Sequence, residues 1–157
     1  FSPDQDITRA EFAAIVVRGL GLKLENSSTS FPDVKGTDWH SNAIQAAHAY
    51  GLIDGFNDGT FRPSDKITRE QAMTIIAKAM KLTGLRDKMA AQSAEETLHS
   101  FRDTSDVATW AKGGIAYVVQ AGIVSGRSAD TLVPKDYMTR AEVAATIQRL
   151  LRQSGLI

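Results

Sequence analysis

An arginine recurs three times at a place where it could bind an anion, at positions Arg9, Arg69 and Arg140. Each arginine follows a threonine and precedes, by two residues, a glutamate or a glutamine. The threonine and the acid or amide have the spacing of a capping box, so each string is predicted to begin a helix. The three strings are Ile7-Thr8-Arg9-Ala10-Glu11, Ile67-Thr68-Arg69-Glu70-Gln71 and Met138-Thr139-Arg140-Ala141-Glu142.

The predicted position of these arginines favours a negatively charged partner. A cation in the first turn of a helix opposes the helix dipole, at a cost of a few tenths up to about 1 kcal/mol. An anion held there by the guanidinium and by free backbone N–H groups would turn that cost into a gain. The alternative is that each arginine pairs with a nearby acid. Those acids are Asp6, Asp65 and Asp136.

Two tryptophans also recur, because Trp39 and Trp110 lie 71 residues apart, as do the two later arginines. Each tryptophan offers a flat apolar face on which a sugar ring could lie. The alternative is that both side chains are core residues.

The arginine strings belong to a longer repeated unit. The strings start 60 and then 71 residues apart, and the Phe-x-Asp, Trp and glycine-rich part that precedes a string occurs only twice. Recurrence of this kind indicates one structural unit used several times. We expect the back half of a first unit at residues 1–24, full units at 31–84 and 101–157, and a partly helical linker at 85–100.

The predicted fold is all-α. Apolar residues after each string recur at i, i+3, i+4 and i+8, which gives each helix one broad apolar stripe. Three such helices can bury their stripes against one another. We therefore expect a central three-helix bundle, with shorter helices and loops projecting around it in pseudo-threefold fashion.

Composition restricts the possible functions. The chain has 157 residues, no cysteine, and 18 acidic and 18 basic side chains. This length allows one compact domain, and the lack of a basic surplus argues against nucleic-acid binding. No apolar stretch is long enough to insert in a membrane. The absence of cysteine excludes disulfides, thiolate metal sites and thiol catalysis.

Neither a metal site nor a catalytic site is predicted. Asp54, Asn57 and Asp58 precede Gly59, but the terminal glutamate of a calcium loop is missing, so a plain turn is expected. The histidines have no ligand spacing, and no trio of serine, histidine and acid is suggested. We expect no cofactor and no enzymatic activity within this chain.

The ordered set Phe-x-Asp, Trp, helix, Gly-Leu/Ile-x-x-Gly, Phe-x-Pro and Ile-Thr-Arg-Ala-Glu resembles the S-layer homology (SLH) repeat. The resemblance implies a spindle of three repeats in a secreted protein of the bacterial cell surface. It also implies non-covalent binding of secondary cell-wall polysaccharide, or another glycan linked to peptidoglycan, in grooves between repeats; in the family the ligand is often a pyruvylated N-acetylmannosamine. The implied ligand-binding residues are Arg9, Arg69, Arg140, Trp39, Trp110, Gly55 and Asp33.

The three copies depart from the family pattern at different places. The second has Glu70 and Gln71 where the pattern has alanine and glutamate. Gln71 can still close a capping box, whereas Glu70 would add a negative charge beside Arg69. In the third unit, residues 127–132 replace the Asp-Gly turn and its phenylalanine. The most complete groove is therefore expected between the first and second copies.

Three functions remain open on the sequence alone. Binding of wall polysaccharide is the leading interpretation. The chain could instead be a protein–protein docking module, since small helical repeats often present interaction faces. A glycan-active enzyme would need two carboxylates across a cleft. The oligomeric state does not follow from the sequence.

Overall fold

The computed structural model describes residues 2–23 and 31–157. The all-α class is confirmed, because β-pairing within these two ranges is limited to three isolated bridges. Two 3₁₀-helices, Leu85–Lys88 and Thr104–Asp106, accompany the α-helices. The α-helices are α1 (Arg9–Gly19), α2 (Ser41–Ala49), α3 (Arg69–Leu82), α4 (Ala94–Leu98), α5 (Thr109–Gln120) and α6 (Arg140–Gln153).

Capping boxes begin α1, α3 and α6, as the sequence predicts, and the arginine is the first residue of each helix. The threonine hydroxyl accepts a hydrogen bond from the backbone N–H three residues later. The side chain of that later residue accepts in turn from the threonine N–H. Gln71 does this as well as the glutamates do, since its Oε1 lies 3.0 Å from the Thr68 nitrogen.

A closed ring of backbone hydrogen bonds joins the residues just before these helices. The N–H of Ile7 donates to the carbonyl of Met138, that of Met138 donates to Ile67, and that of Ile67 donates to Ile7, each at 3.0 Å. Each copy is therefore bonded to the other two in the same manner. The ring joins only the residues at the helix starts. The central three-helix bundle and the spindle outline therefore stay predictions.

The first backbone N–H groups of the three helices are already hydrogen bonded. The first N–H of each helix donates to a turn carbonyl of a neighbouring copy, and the second donates to the carbonyl of that copy's proline. The threonine hydroxyl takes the third. The expectation that free backbone N–H groups help to bind an anion is therefore wrong. In the first of these backbone bonds, the N–H groups of Arg9, Arg69 and Arg140 donate to the carbonyls of Asp65, Asp136 and Gln5, at 2.8, 2.7 and 2.9 Å.

The core lies mainly between pairs of helices. α1 packs against α2, α3 packs against α5, and α6 also contacts α1. Phe12, Ile44, Ile76 and Ile115 are fully buried on these helices. The segment expected to be a partly helical linker contains the first 3₁₀-helix and α4, and α4 packs on α5. The unit and linker boundaries themselves stay predictions.

An aspartate from each Phe-x-Asp sequence holds the turn before the next arginine string. The Asp33 carboxylate accepts from the N–H groups of Phe61 and Arg62 at 3.0 and 2.7 Å. Asp103 makes the same two bonds one unit later. Arg62 and Val133 have φ angles of 60° and 50°, a conformation that residues with a Cβ rarely adopt. Each aspartate therefore stabilises a strained turn.

We expect Asp103→Ala to lower the free energy of unfolding by about 1–3 kcal/mol, because it removes two charge-assisted hydrogen bonds from a strained turn. Urea unfolding measures this. Asp106→Ala is the matched control, since this exposed carboxylate accepts no side-chain hydrogen bond from the described residues; its effect should stay within about 0.5 kcal/mol. Equal effects of the two substitutions would contradict the assignment.

Candidate functional site

One cleft brings together three of the predicted binding residues, Arg9, Gly55 and Trp110. We call it the Arg9 cleft. Its volume is about 480 Å³, and its walls are Arg9, the loop 52–57, one face of α3 and Trp110 at the start of α5. The first copy supplies the arginine, the second supplies the loop and helix, and the third supplies the tryptophan. The cleft is therefore composite.

Arg9 is nearly buried in the wall of this cleft, with 8% of the residue exposed. Its Nε donates to the Phe61 carbonyl at 2.9 Å, and its guanidinium lies 4.6 Å from the ring centre of Phe56. Burial lowers the pKa of Arg9 to about 10, and the charge of Asp65 opposes that shift. Arg9 thus stays protonated at neutral pH. No group in the described ranges accepts a hydrogen bond from its Nη1 or Nη2, so two donor nitrogens remain unused.

Arg69, the equivalent residue of the second copy, has all its side-chain nitrogens engaged. Nε donates to the Leu132 carbonyl at 2.9 Å, Nη2 to the Ser125 carbonyl at 3.2 Å, and Nη1 to the Glu142 carboxylate. Burial lowers the pKa of Arg69, and the charge of Glu142 opposes that shift. Arg69 lines a smaller cleft of about 320 Å³, called here the Arg69 cleft. Unlike Arg9, it has no side-chain nitrogen left without an acceptor.

Arg140 pairs with Glu11 of the first copy, its Nη2 lying 2.6 Å from the carboxylate. The buried Nε of Arg140 has no partner within residues 2–23 and 31–157. Phe1, which aligns with Phe61 and Leu132, falls outside those ranges. Arg140 lines neither the Arg9 cleft nor the Arg69 cleft.

The alternative that each arginine pairs with the aspartate of its own turn is wrong. Arg69 and Arg140 pair with the capping glutamate of a neighbouring copy. Arg9 forms no ion pair with a described carboxylate, and the residue at the corresponding capping position is Gln71. The arginines thus reach across to the next copy rather than back to their own turn.

Glu70, expected to place a negative charge beside Arg69, is engaged elsewhere. Its carboxylate accepts from the Ala108 N–H at 3.0 Å and pairs with Lys135 at 2.5 Å. The side chain is nearly buried in these contacts. The acid that acts directly on Arg69 is Glu142.

Both tryptophans are exposed, Trp39 at 63% and Trp110 at 61%, so the alternative that they are core residues is wrong. They lie in different clefts. Trp39 lies beside Arg18 and Asn42 in a cleft of about 250 Å³, called here the Trp39 cleft. None of the three string arginines lines that cleft, whereas Trp110 shares its cleft with Arg9.

Gly55 and Asp33 have clear structural roles. Gly55 has a φ of 82°, and a Cβ at this position would lie 2.6 Å from a ring carbon of Phe31 and 2.9 Å from the Thr60 carbonyl oxygen. Glycine is therefore required by close approach, and this residue also lines the Arg9 cleft. Asp33 binds the following turn and does not line that cleft. Direct contact of either residue with a ligand stays a prediction.

Most of the residues that line the Arg9 cleft were not predicted as binding residues, and among them are Phe56, Gln71 and Lys78. Phe56 lies over the Arg9 guanidinium, and Lys78 forms an ion pair with Asp54 at 3.0 Å. The sequence shows Gln71 only as a cap. Because the other two copies have glutamate at this position, the glutamine itself is the sequence feature that could have indicated Gln71 as a binding residue.

Residues 30–73 and 100–144 match the S-layer homology domain. These two matches cover more than half of the chain. The chain belongs to the S-layer homology family. As a member of it, the chain has a role in anchoring at the bacterial cell surface.

Several relatives of this SLH chain are much longer proteins. It is 40% identical to an amylopullulanase of Thermoanaerobacterium thermosulfurigenes, with 100% of the chain and 8% of the relative covered. It is 32% identical to a surface-layer 125 kDa protein of Lysinibacillus sphaericus, with 96% of the chain and 12% of the relative covered. It is 31% identical to a cellulosome-anchoring protein of Acetivibrio thermocellus, with 99% of the chain and 34% of the relative covered. The chain thus spans between 8 and 34% of the length of these relatives.

The described ranges of the SLH chain contain neither a membrane-spanning helix nor a cluster of candidate metal ligands. None of the helices in the described ranges has the length and apolar character needed to cross a bilayer. In the same ranges, His, Asp and Glu side chains nowhere gather in threes as candidate metal ligands. The Asp58 carboxylate in the Asp-Gly turn accepts instead from Thr60 and pairs with Arg62.

The ion pairs of Glu142 predict an acid sensitivity of the SLH fold. Burial alone would raise the pKa of Glu142, but a hydrogen bond from Arg127, another from the Thr139 N–H, and the charge of Arg69 lower it below its ordinary value of 4.5. This carboxylate therefore stabilises the fold above about pH 4.5. That stabilisation is lost as the pH falls through the lowered pKa.

We expect Glu142→Gln to be less stable than the unchanged chain near neutral pH, and to lose less stability between about pH 5 and pH 2. Urea unfolding at a series of pH values measures the difference between the two proteins. Because every other carboxylate is common to both, parallel curves of stability against pH would contradict the assignment to Glu142.

Proposed function

We propose that this SLH module anchors its parent protein by binding an anionic secondary cell-wall polysaccharide, a pyruvylated amino sugar, in the Arg9 cleft. The observation that carries the proposal is the pair of unused donor nitrogens of the nearly buried Arg9, in a cleft that also holds the exposed Trp110. The Arg69 and Trp39 clefts lack this combination. The nitrogens of Arg69 are occupied, and no string arginine accompanies Trp39.

A carboxylate is the natural complement of these donors. Its two oxygens can accept parallel N–H bonds from a guanidinium, and such charge-assisted bonds are about twice as strong as neutral ones. A partly desolvated cleft strengthens them further. The pyruvyl group of a wall sugar carries such a carboxylate, and the flat face of Trp110 can contact the sugar ring beside it.

Two further observations support an anchoring role without catalysis. Relatives of the chain are named for anchoring and for the surface layer, and we propose that the carbohydrate-cleaving activity named for another relative belongs to its other segments. Asp54 is the one carboxylate among the described residues that line the Arg9 cleft, and it is paired with Lys78. Glycoside hydrolysis generally needs two carboxyl groups across the cleft.

Titration with wall polysaccharide before and after removal of pyruvate tests the proposal. We expect binding of the pyruvylated form and at least about tenfold weaker binding of the other, since a charge-assisted hydrogen bond contributes about 1.5–3 kcal/mol. Isothermal titration calorimetry gives both affinities. Equal affinities would contradict the role of Arg9. Binding of a protein partner but of neither glycan would favour a docking module, and release of sugar would favour an enzyme.

We expect Trp110→Ala to weaken binding of the pyruvylated glycan several-fold while changing the free energy of unfolding little, because the indole is mostly exposed. Trp39→Ala is the comparison variant, since Trp39 is equally exposed but lies in another cleft. Calorimetry and urea unfolding of both variants separate binding from folding. A loss of affinity confined to Trp39→Ala would place the ligand outside the Arg9 cleft.

A further inference from the structure

The three capping side chains differ in the atom left over after the cap is made. Glu11, Gln71 and Glu142 each use Oε1 to accept from the threonine N–H, at 3.0, 3.0 and 3.1 Å. In both glutamates the second oxygen, Oε2, accepts from an arginine of a neighbouring copy. Glu11 accepts from Arg140, and Glu142 accepts from Arg69.

In Gln71 the leftover atom is the amide nitrogen Nε2. An amide nitrogen only donates, so it cannot accept from the guanidinium of Arg9 as a carboxylate oxygen would. Gln71 and Arg9 line the same cleft. Neither Nε2 of Gln71 nor the Nη atoms of Arg9 have an acceptor in the described part of the chain. The cleft thus contains two sets of unused donors from neighbouring copies.

The copies also differ at a second position that affects the string arginine, namely Phe56 in the second unit and Arg127 in the third. Phe56 lies 71 residues before Arg127, so the two occupy corresponding places in the repeat. Phe56 contacts Arg9 through its ring face, a cation–π contact that needs no hydrogen bond from the guanidinium. Arg127 instead donates to Glu142 at 2.7 Å. Glu142 is therefore shared between Arg127 and Arg69, and the corresponding site is filled by the protein's own charges.

We infer that Gln71 determines which groove of this module accepts a carboxylate. It leaves the Nη atoms of Arg9 available and adds its own Nε2 as a further donor, while Glu142 and Glu11 occupy Arg69 and Arg140. The module then binds one carboxylate-bearing sugar per chain. This inference rests on the proposed function and assigns Gln71 two roles, as the cap of α3 and as the residue that sets the specificity of the Arg9 cleft.

Gln71→Glu tests the inference, because it installs the residue that occupies the arginine at the other two junctions. Glutamate closes the capping box of α1 and α6, so the helix start should be preserved. We expect the affinity for pyruvylated wall polysaccharide to fall at least about tenfold, with the circular dichroism spectrum and the weak affinity for the pyruvate-free polysaccharide unchanged. The number of sites on the unchanged chain should be one.

Gln148→Glu is the matched control. It adds the same charge on an exposed position of α6 that lines neither the Arg9 nor the Arg69 cleft, and it should bind as the unchanged chain does. If the unchanged chain does not prefer the pyruvylated polysaccharide, the proposed function fails and this inference with it. If that preference is present and Gln71→Glu shares it undiminished, the role of Gln71 is overturned while the proposed function stands. Equal losses in both variants also overturn it, because net charge would then account for the effect.

Discussion

The closed ring of backbone hydrogen bonds through Ile7, Ile67 and Met138 is the constraint on which the rest of the structure depends. It joins the three helix starts, so the first two N–H groups of each helix donate to carbonyls of a neighbouring copy. The arginine that begins each helix is thereby directed into that neighbour. The Arg9 and Arg69 clefts are both composite, with an arginine from one copy and a loop from the next. The repeats are therefore interdependent in structure.

In two of the three arginines the Nε and Nη nitrogens have different roles. In Arg9 and Arg69, Nε donates to a carbonyl of the next copy, a contact that belongs to the fold. The Nη atoms are what differ. In Arg69 they donate to Glu142 and to a carbonyl, whereas in Arg9 no described group accepts from them. Burial disfavours the charge of both arginines, so an unused guanidinium beside a cleft gains more from a bound anion than an exposed one would.

Local features of this fold could be predicted from the sequence, because a capping box depends on residues only a few positions apart. The starts of α1, α3 and α6 follow in this way. Contacts between copies could not be predicted. Nothing in the order of residues shows that Arg69 reaches Glu142 rather than its own aspartate, since the ring of hydrogen bonds decides that.

The candidate site was predictable to the same extent. Arg9 and Trp110 were recognisable by type and recurrence, but their meeting in one cleft, and the separate position of Trp39, depend on how the copies pack. The most direct measurement is a crystal structure of the chain with a pyruvylated N-acetylmannosamine. We predict one sugar per chain, with its carboxylate hydrogen bonded to the Nη atoms of Arg9 and its ring against Trp110. A carboxylate bound at Arg69, at Arg140 or in the Trp39 cleft, with the Arg9 cleft empty, would contradict it.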